Sequence, residues 1–134
     1  MFNSIVTERL GYILESLQLI LNRFEGIEKN TDFISTEKGV ELKDSITMRL
    51  QIIGENTKRV EKQMPDFFEE YLQTYPEPII RFRDFISHHY EKTDYEIIFD
   101  ICKTYIPDLQ NKVGYFLNNL PSGKCEMIQE IFHL

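Results

Sequence analysis

Apolar residues recur along this chain at steps of three and four, the spacing that lines one face of an α-helix. Leu10, Ile13, Leu14, Leu17, Ile20 or Leu21, and Phe24 form the first such stripe. Asn3 or Ser4 can cap its start, and Gly26 with Asn30 supplies the stop signals. A second long stripe runs through Leu42, Ile46, Leu50, Ile53, Thr57 and Val60. Gly39 is expected to interrupt any helix ahead of it, leaving a short turn of helix between the two long ones. Gly54 falls inside the second helix, where glycine costs up to about 1 kcal/mol relative to alanine. The close approach of another helix is the use expected of it.

Pro65 ends the second helix, and "DFFEEYLQTY" predicts a short third one capped by Asp66. Pro76 and Pro78 force a break and a restart, with Pro78 in the first turn of a fourth helix carrying Ile79, Ile80, Phe82, Phe85 and Ile86. "EKTD" reads as a turn, with Thr93 or Asp94 as the next cap and Glu96 at capping-box distance from Thr93. The helix after it shows Tyr95, Ile98, Phe99, Cys102 and Tyr105, and Pro107 should kink or split it. Leu109, Val113, Phe116, Leu117 and Leu120 continue the stripe. "PSG" turns the chain into a short amphipathic tail within residues 121–134. No run alternates with period two, and there is no internal repeat or low-complexity segment. The expected fold is all-α: residues 1–134 as one up-and-down bundle of about five helices.

Composition narrows this picture only slightly. A chain of 134 residues can bury roughly two-thirds of its unfolded surface. No stretch approaches the ~18 apolar residues of a membrane helix, and the first residues do not read as a secretory signal. Cys102 and Cys125 are the only cysteines; neither belongs to a CxxC, so both are expected as reduced thiols in a cytoplasmic protein. No Cys/His cluster has metal-site spacing, and neither a Gly-rich phosphate loop nor a serine or cysteine nucleophile–base pair is evident. The net charge of -7 argues against a broad nucleic-acid-binding face, so any such contact must be local.

The chemistry is concentrated in "RFRDFISHHY", Arg81–Tyr90, which holds two of the three histidines. Asp84 and His88 are four apart and share a helix face. Arg83 and His88 are five apart, roughly 140° around an ideal helix. They converge only through side-chain reach, a loosened last turn, or pairing across a dimer. A histidine can act as general base or acid near neutral pH. An arginine can hold a phosphate and stabilise charge on phosphorus. Together they suffice for RNA cleavage by the ribose 2′-OH without a metal. Asp84 can orient the imidazole, and Tyr90 can bond a phosphate or accept a modification. The plainer alternative is two histidines capping the carbonyls of a helix end. Lys58, Arg59 and Lys62 are either an RNA-backbone patch or a solvated basic helix end, with Glu55 weakening the local field.

"RDFISHHY", preceded by "LQIIGENTKRV" and followed by "DYEIIFDICKTYIPDL", resembles the HepT-like branch of the HEPN superfamily. The resemblance runs from about Arg9 to Val113 and rests on an IIGE-x2-KR segment, an Arg-x4-His-x-Tyr motif and a later Pro-interrupted helix. It implies an all-α, usually dimeric protein whose two motifs face each other. It implies a metal-independent, cofactor-free ribonuclease toxin, paired with an MNT-type nucleotidyltransferase antitoxin that transfers AMP to the motif tyrosine. On this reading Arg83 and His88 are catalytic, Asp84 supports them, and Tyr90 is the AMP acceptor. His89, between histidine and tyrosine, departs from a simple pattern: Arg81 or Arg83 with His88 or His89 gives several pairs, and Tyr90 selects His88. The competing expectation is a non-catalytic helical subunit that binds the nucleotidyltransferase, which the negative charge also suits.

Overall fold

The structure, a computed structural model, describes residues 3–88 and 95–120, with the backbone alone at 87 and 88. Helices account for its regular structure, and no strand occurs among the described residues. Helix α1 spans Ser4–Phe24, and the Asn3 side chain caps it by accepting the Ile5 N–H at 2.7 Å. Its stripe is buried as the periodicity predicts, with Leu10, Ile13, Leu17 and Ile20 fully enclosed. A 3₁₀ turn at Asn30–Phe33 then inserts Phe33 into the core.

Helix α2 spans Glu37–Gln63. Gly39 does not interrupt a helix, contrary to the sequence expectation: it sits in the first turn of α2 and donates its N–H to the Thr36 hydroxyl at 2.9 Å. A side chain there would run into the Asp32 carbonyl, so glycine lets the helix start press on the preceding turn. Helix α3, Phe67–Tyr71, also starts differently from expectation. Asp66 takes a left-handed conformation, φ 66°, and its side chain caps nothing. The Phe68 N–H is met instead by Glu61 Oε2 at 3.0 Å, reaching over from the last turn of α2. Partial burial pushes the Glu61 carboxyl up from its ordinary value, against the pull of that N–H.

Helix α4 spans Glu77–His88, with Pro78 near its start as predicted. Helix α5, Tyr95–Asp100, runs into a π-helical turn at Ile101–Tyr105 and then into α6, Ile106–Asn118. Pro107 therefore does not split the rod. It has no N–H to offer the carbonyl a turn earlier, and the backbone widens so that the Ile106 N–H reaches the Ile101 carbonyl. The Thr104 hydroxyl bonds the Asp100 carbonyl at 2.7 Å in the same turn.

The helices pack in the order α4, α2, α1, α6, with α2 touching both α1 and α4 and α1 touching α6. One apolar cluster joins all of them, from Val6 and Leu10 through Ile46, Leu50 and Ile53 to Ile79, Ile86, Leu109 and Leu117. The Tyr105 hydroxyl donates to the Tyr75 carbonyl at 2.7 Å and ties the loop before α4 to the π turn. Burial, with Glu77 and Asp108 nearby, pushes the Tyr105 phenol well above its ordinary value and keeps it a neutral donor. The expected caps Thr93 and Asp94 and the tail at 121–134, with Cys125, lie outside the described residues. No described helix is long and apolar enough to cross a membrane.

Candidate functional site

Gly54 and Arg83 meet at the seam between α2 and α4. A Cβ added to Gly54 would lie 2.6 Å from the Arg83 Cβ, 3.1 Å from its Cγ and 3.0 Å from the Ile79 carbonyl oxygen. The missing side chain of Gly54 is thus the space that the stem of Arg83 occupies. This is the close helix approach that the interior glycine implied.

From that anchor the guanidinium reaches two carboxylates among the described residues. Nη1 donates to Asp84 Oδ1 at 3.1 Å, and Nη2 lies 3.9 Å from Glu55 Oε1. Asp84 Oδ1 also pairs with Lys58 Nζ at 3.7 Å. The order Glu55, Arg83, Asp84, Lys58 alternates in sign and crosses twice between the two helices. Arg83 is the most enclosed of the four, with 30% of its side chain exposed. The Arg83 hydrogen bond, followed by the charge of Lys58, holds the Asp84 carboxyl below its ordinary range. Asp84 is therefore ionised at neutral pH and committed to two cations.

Arg83, Asp84 and Lys58 are thus brought together. Arg59 and Lys62 lie exposed on α2, outside this group. Arg81 lies roughly 200° around α4 from Arg83. It lines a separate apolar cleft of about 200 Å³ with Pro78, Phe82, Phe85, Ile97 and Ile101. The His88 backbone closes α4, whereas its side chain and all of His89 and Tyr90 lie outside the described residues. Among the described residues no three of His, Cys, Asp and Glu gather as metal ligands. Sequence reasoning missed Glu55 as a member of the group. Its position after Gly54 and three residues before Lys58 was the available signal, since both neighbours face α4.

A profile described as "Ribonuclease HepT-like" matches residues 13–116 of this chain, across both helices of the seam. The chain belongs to the HepT-like ribonuclease family. A relative from Caldanaerobacter subterraneus subsp. tengcongensis, named "Putative RNase TTE0752", is 30% identical over 108 residues, covering 81% of this chain and 90% of its own length. No solved structure gives a significant match. The matched span of the HepT-like profile takes in Gly54, Glu55, Lys58, Arg83 and Asp84.

Proposed function

We propose that this HepT-like protein is a metal-independent endoribonuclease and the toxin of a pair whose other member is an MNT-type nucleotidyltransferase. The observation that supports it best is Arg83, held at the α2–α4 seam in a chain of the ribonuclease family. In this reading the Arg83 guanidinium faces the scissile phosphate and stabilises the charge that grows on its oxygens. His88 removes the proton of the ribose 2′-OH, which attacks the adjacent phosphorus. The bond from phosphorus to the 5′-oxygen breaks, and that oxygen takes a proton from a second acid. The facing His88 of a second copy, or His89, fills that role. The products are a 2′,3′-cyclic phosphate and a 5′-hydroxyl.

The same reading makes Tyr90 the point of control. Its phenol oxygen attacks the α-phosphorus of ATP in the antitoxin, and pyrophosphate leaves. The AMP group then adds bulk and a negative phosphodiester where RNA phosphate must bind. A cytoplasmic homodimer is the assembly this requires. Lys58, Arg59, Lys62 and Arg81 are the candidate backbone contacts.

Cleavage of RNA in EDTA, with analysis of the new ends, tests the proposal. Wild type should leave cyclic phosphates, and both Arg83→Ala and His88→Ala should abolish them. Unchanged cutting by folded Arg83→Ala removes the catalytic assignment. Growth on induction should fail with wild type, recover with His88→Ala, and recover with the cognate nucleotidyltransferase.

One observation favours a second reading, a non-catalytic partner of the nucleotidyltransferase. The four charges at the seam cancel, and the chain as a whole carries -7. Harmless expression of soluble wild type, with no cleavage in vitro, would select it.

A further inference from the structure

The two carboxylates on Arg83 stand in different relations to it. Asp84 is its neighbour on α4 and moves with that helix. Glu55 projects from α2 and is the carboxylate that ties the guanidinium to the other helix. The stem of Arg83 is already pinned against Gly54, one residue before Glu55. Stem and tip are thus fixed by consecutive residues of α2, with the tip contact ionic at 3.9 Å.

We infer that Glu55 is a positioning residue, which sets the direction of the Arg83 guanidinium toward the scissile phosphate. The inference rests on the ribonuclease reading above. An arginine that stabilises a transition state works by being aimed beforehand, and small misalignments are expensive there. Glu55 does not touch RNA in this account. Its loss lets the guanidinium swing toward Asp84, away from α2, and leaves the encounter with the RNA backbone largely intact. The effect therefore falls on kcat and spares KM. Glu55 is exposed over 55% of its side chain, and exposed pairs add little stability. Melting should therefore not change. Glutamine keeps the reach and an acceptor oxygen but loses the charge, so it should recover part of what alanine loses.

The test is steady-state cleavage of a short RNA in EDTA by full-length wild type, Glu55→Ala, Glu55→Gln and Arg83→Ala. Glu41→Ala, exposed near the start of the same helix, serves as the surface control. The expected result is a fall of about tenfold in kcat for Glu55→Ala, with KM within twofold, a smaller fall for Glu55→Gln, and unchanged melting for both. Full kcat in Glu55→Ala, beside an active wild type and an inactive Arg83→Ala, overturns the role of Glu55 alone. A rise in KM at constant kcat, or equal losses in alanine and glutamine with lowered melting, overturns it as well. A wild type that does not cut, or an Arg83→Ala that does, overturns the ribonuclease site and this inference with it.

Discussion

Replacing Gly54 by alanine puts the seam between α2 and α4 under direct strain. The new Cβ would sit 2.6 Å from the Arg83 Cβ and 3.0 Å from the Ile79 carbonyl oxygen. Carbon atoms in good contact lie about 3.5–4.0 Å apart, so the helices must separate by about 1 Å. The Arg83 Cβ is attached to the α4 backbone, so a rotamer change cannot relieve the clash, and the carbonyl blocks sliding the other way. Overpacking of this kind costs about 1–3 kcal/mol, and the higher helix propensity of alanine returns up to about 1 kcal/mol. With that full return the net loss is up to about 2 kcal/mol, with about 3–5 °C in Tm for each kcal/mol at this chain length. Cleavage should suffer more, because Arg83 moves with α4 and a displacement of 1 Å can cost about 10²-fold. Gly114→Ala is the matched control. It also lies inside a helix, but nothing stands within 4 Å of its added Cβ, so it should stabilise the protein by up to about 1 kcal/mol. Thermal melting and EDTA-resistant cleavage of both variants decide the matter. A Gly54→Ala protein that melts at or above wild type with undiminished cleavage would refute the close approach as the reason for glycine.

Gly39→Ala should destabilise by about 1–3 kcal/mol in urea unfolding, because its Cβ runs into the Asp32 carbonyl; an unchanged midpoint would contradict that packing. The Asp32 carboxylate accepts the N–H groups of Glu28 and Lys29 at 2.8 and 3.1 Å, which lowers its pKa. A lowered folded pKa gives stability that is complete above the unfolded value of ~3.9 and is lost as pH falls through the folded value. The urea midpoint of wild type should accordingly exceed that of Asp32→Asn most above about pH 5, and the gap should narrow as pH falls below the unfolded value. Cys102 is fully buried and its thiol is pushed up to about 12, so in a Cys125→Ser background it should stay unmodified by a disulfide reagent at about pH 8 until urea unfolds the chain. Rapid labelling of the native protein would show that the α5–α6 rod opens locally.

The stripes of α1, α2 and α6 were legible because helix periodicity and burial are the same fact seen twice. Leu10, Leu17, Leu50 and Val113 are apolar in the sequence and enclosed in the fold. Gly54 was legible for a related reason: a costly residue inside a strong helix needs a neighbour to justify it. The errors fell where another part of the chain overrides a local rule. Gly39 reads as a breaker until the Asp32 carbonyl is seen beside it, and Asp66 reads as a cap until Glu61 supplies the acceptor. Glu55 was read as a charge that weakens a basic patch, because sequence does not reveal which side of α2 faces α4. Asp84 pairs with Arg83 and Lys58, while the His88 side chain it was expected to serve lies outside the described residues.

The π turn also bears on how many residues the α5–α6 segment needs. Ile98, Cys102 and Ile106 are buried at successive steps of four. Each such step over-rotates an ideal helix by about 40°, and the wider turn at Ile101–Tyr105 takes that rotation back. The segment thus behaves as a regular helix with one residue inserted and absorbed. Removing Lys103 or Thr104 would restore regular winding and leave Ile98 and Ile106 seven residues apart, about 20° short of two full turns and so still on one face. Ile98 and the Leu109–Val113–Leu117 stripe would then both stay in the core, so the expected cost of a single-residue deletion here is that of Pro107 inside a regular helix, about 3 kcal/mol, with a cooperative melt retained. Exchanges of side chain at exposed Lys103 should be nearly silent by comparison. Variation in this part of the chain can proceed by substitution and by loss of the one absorbed residue, because both leave the buried faces in register.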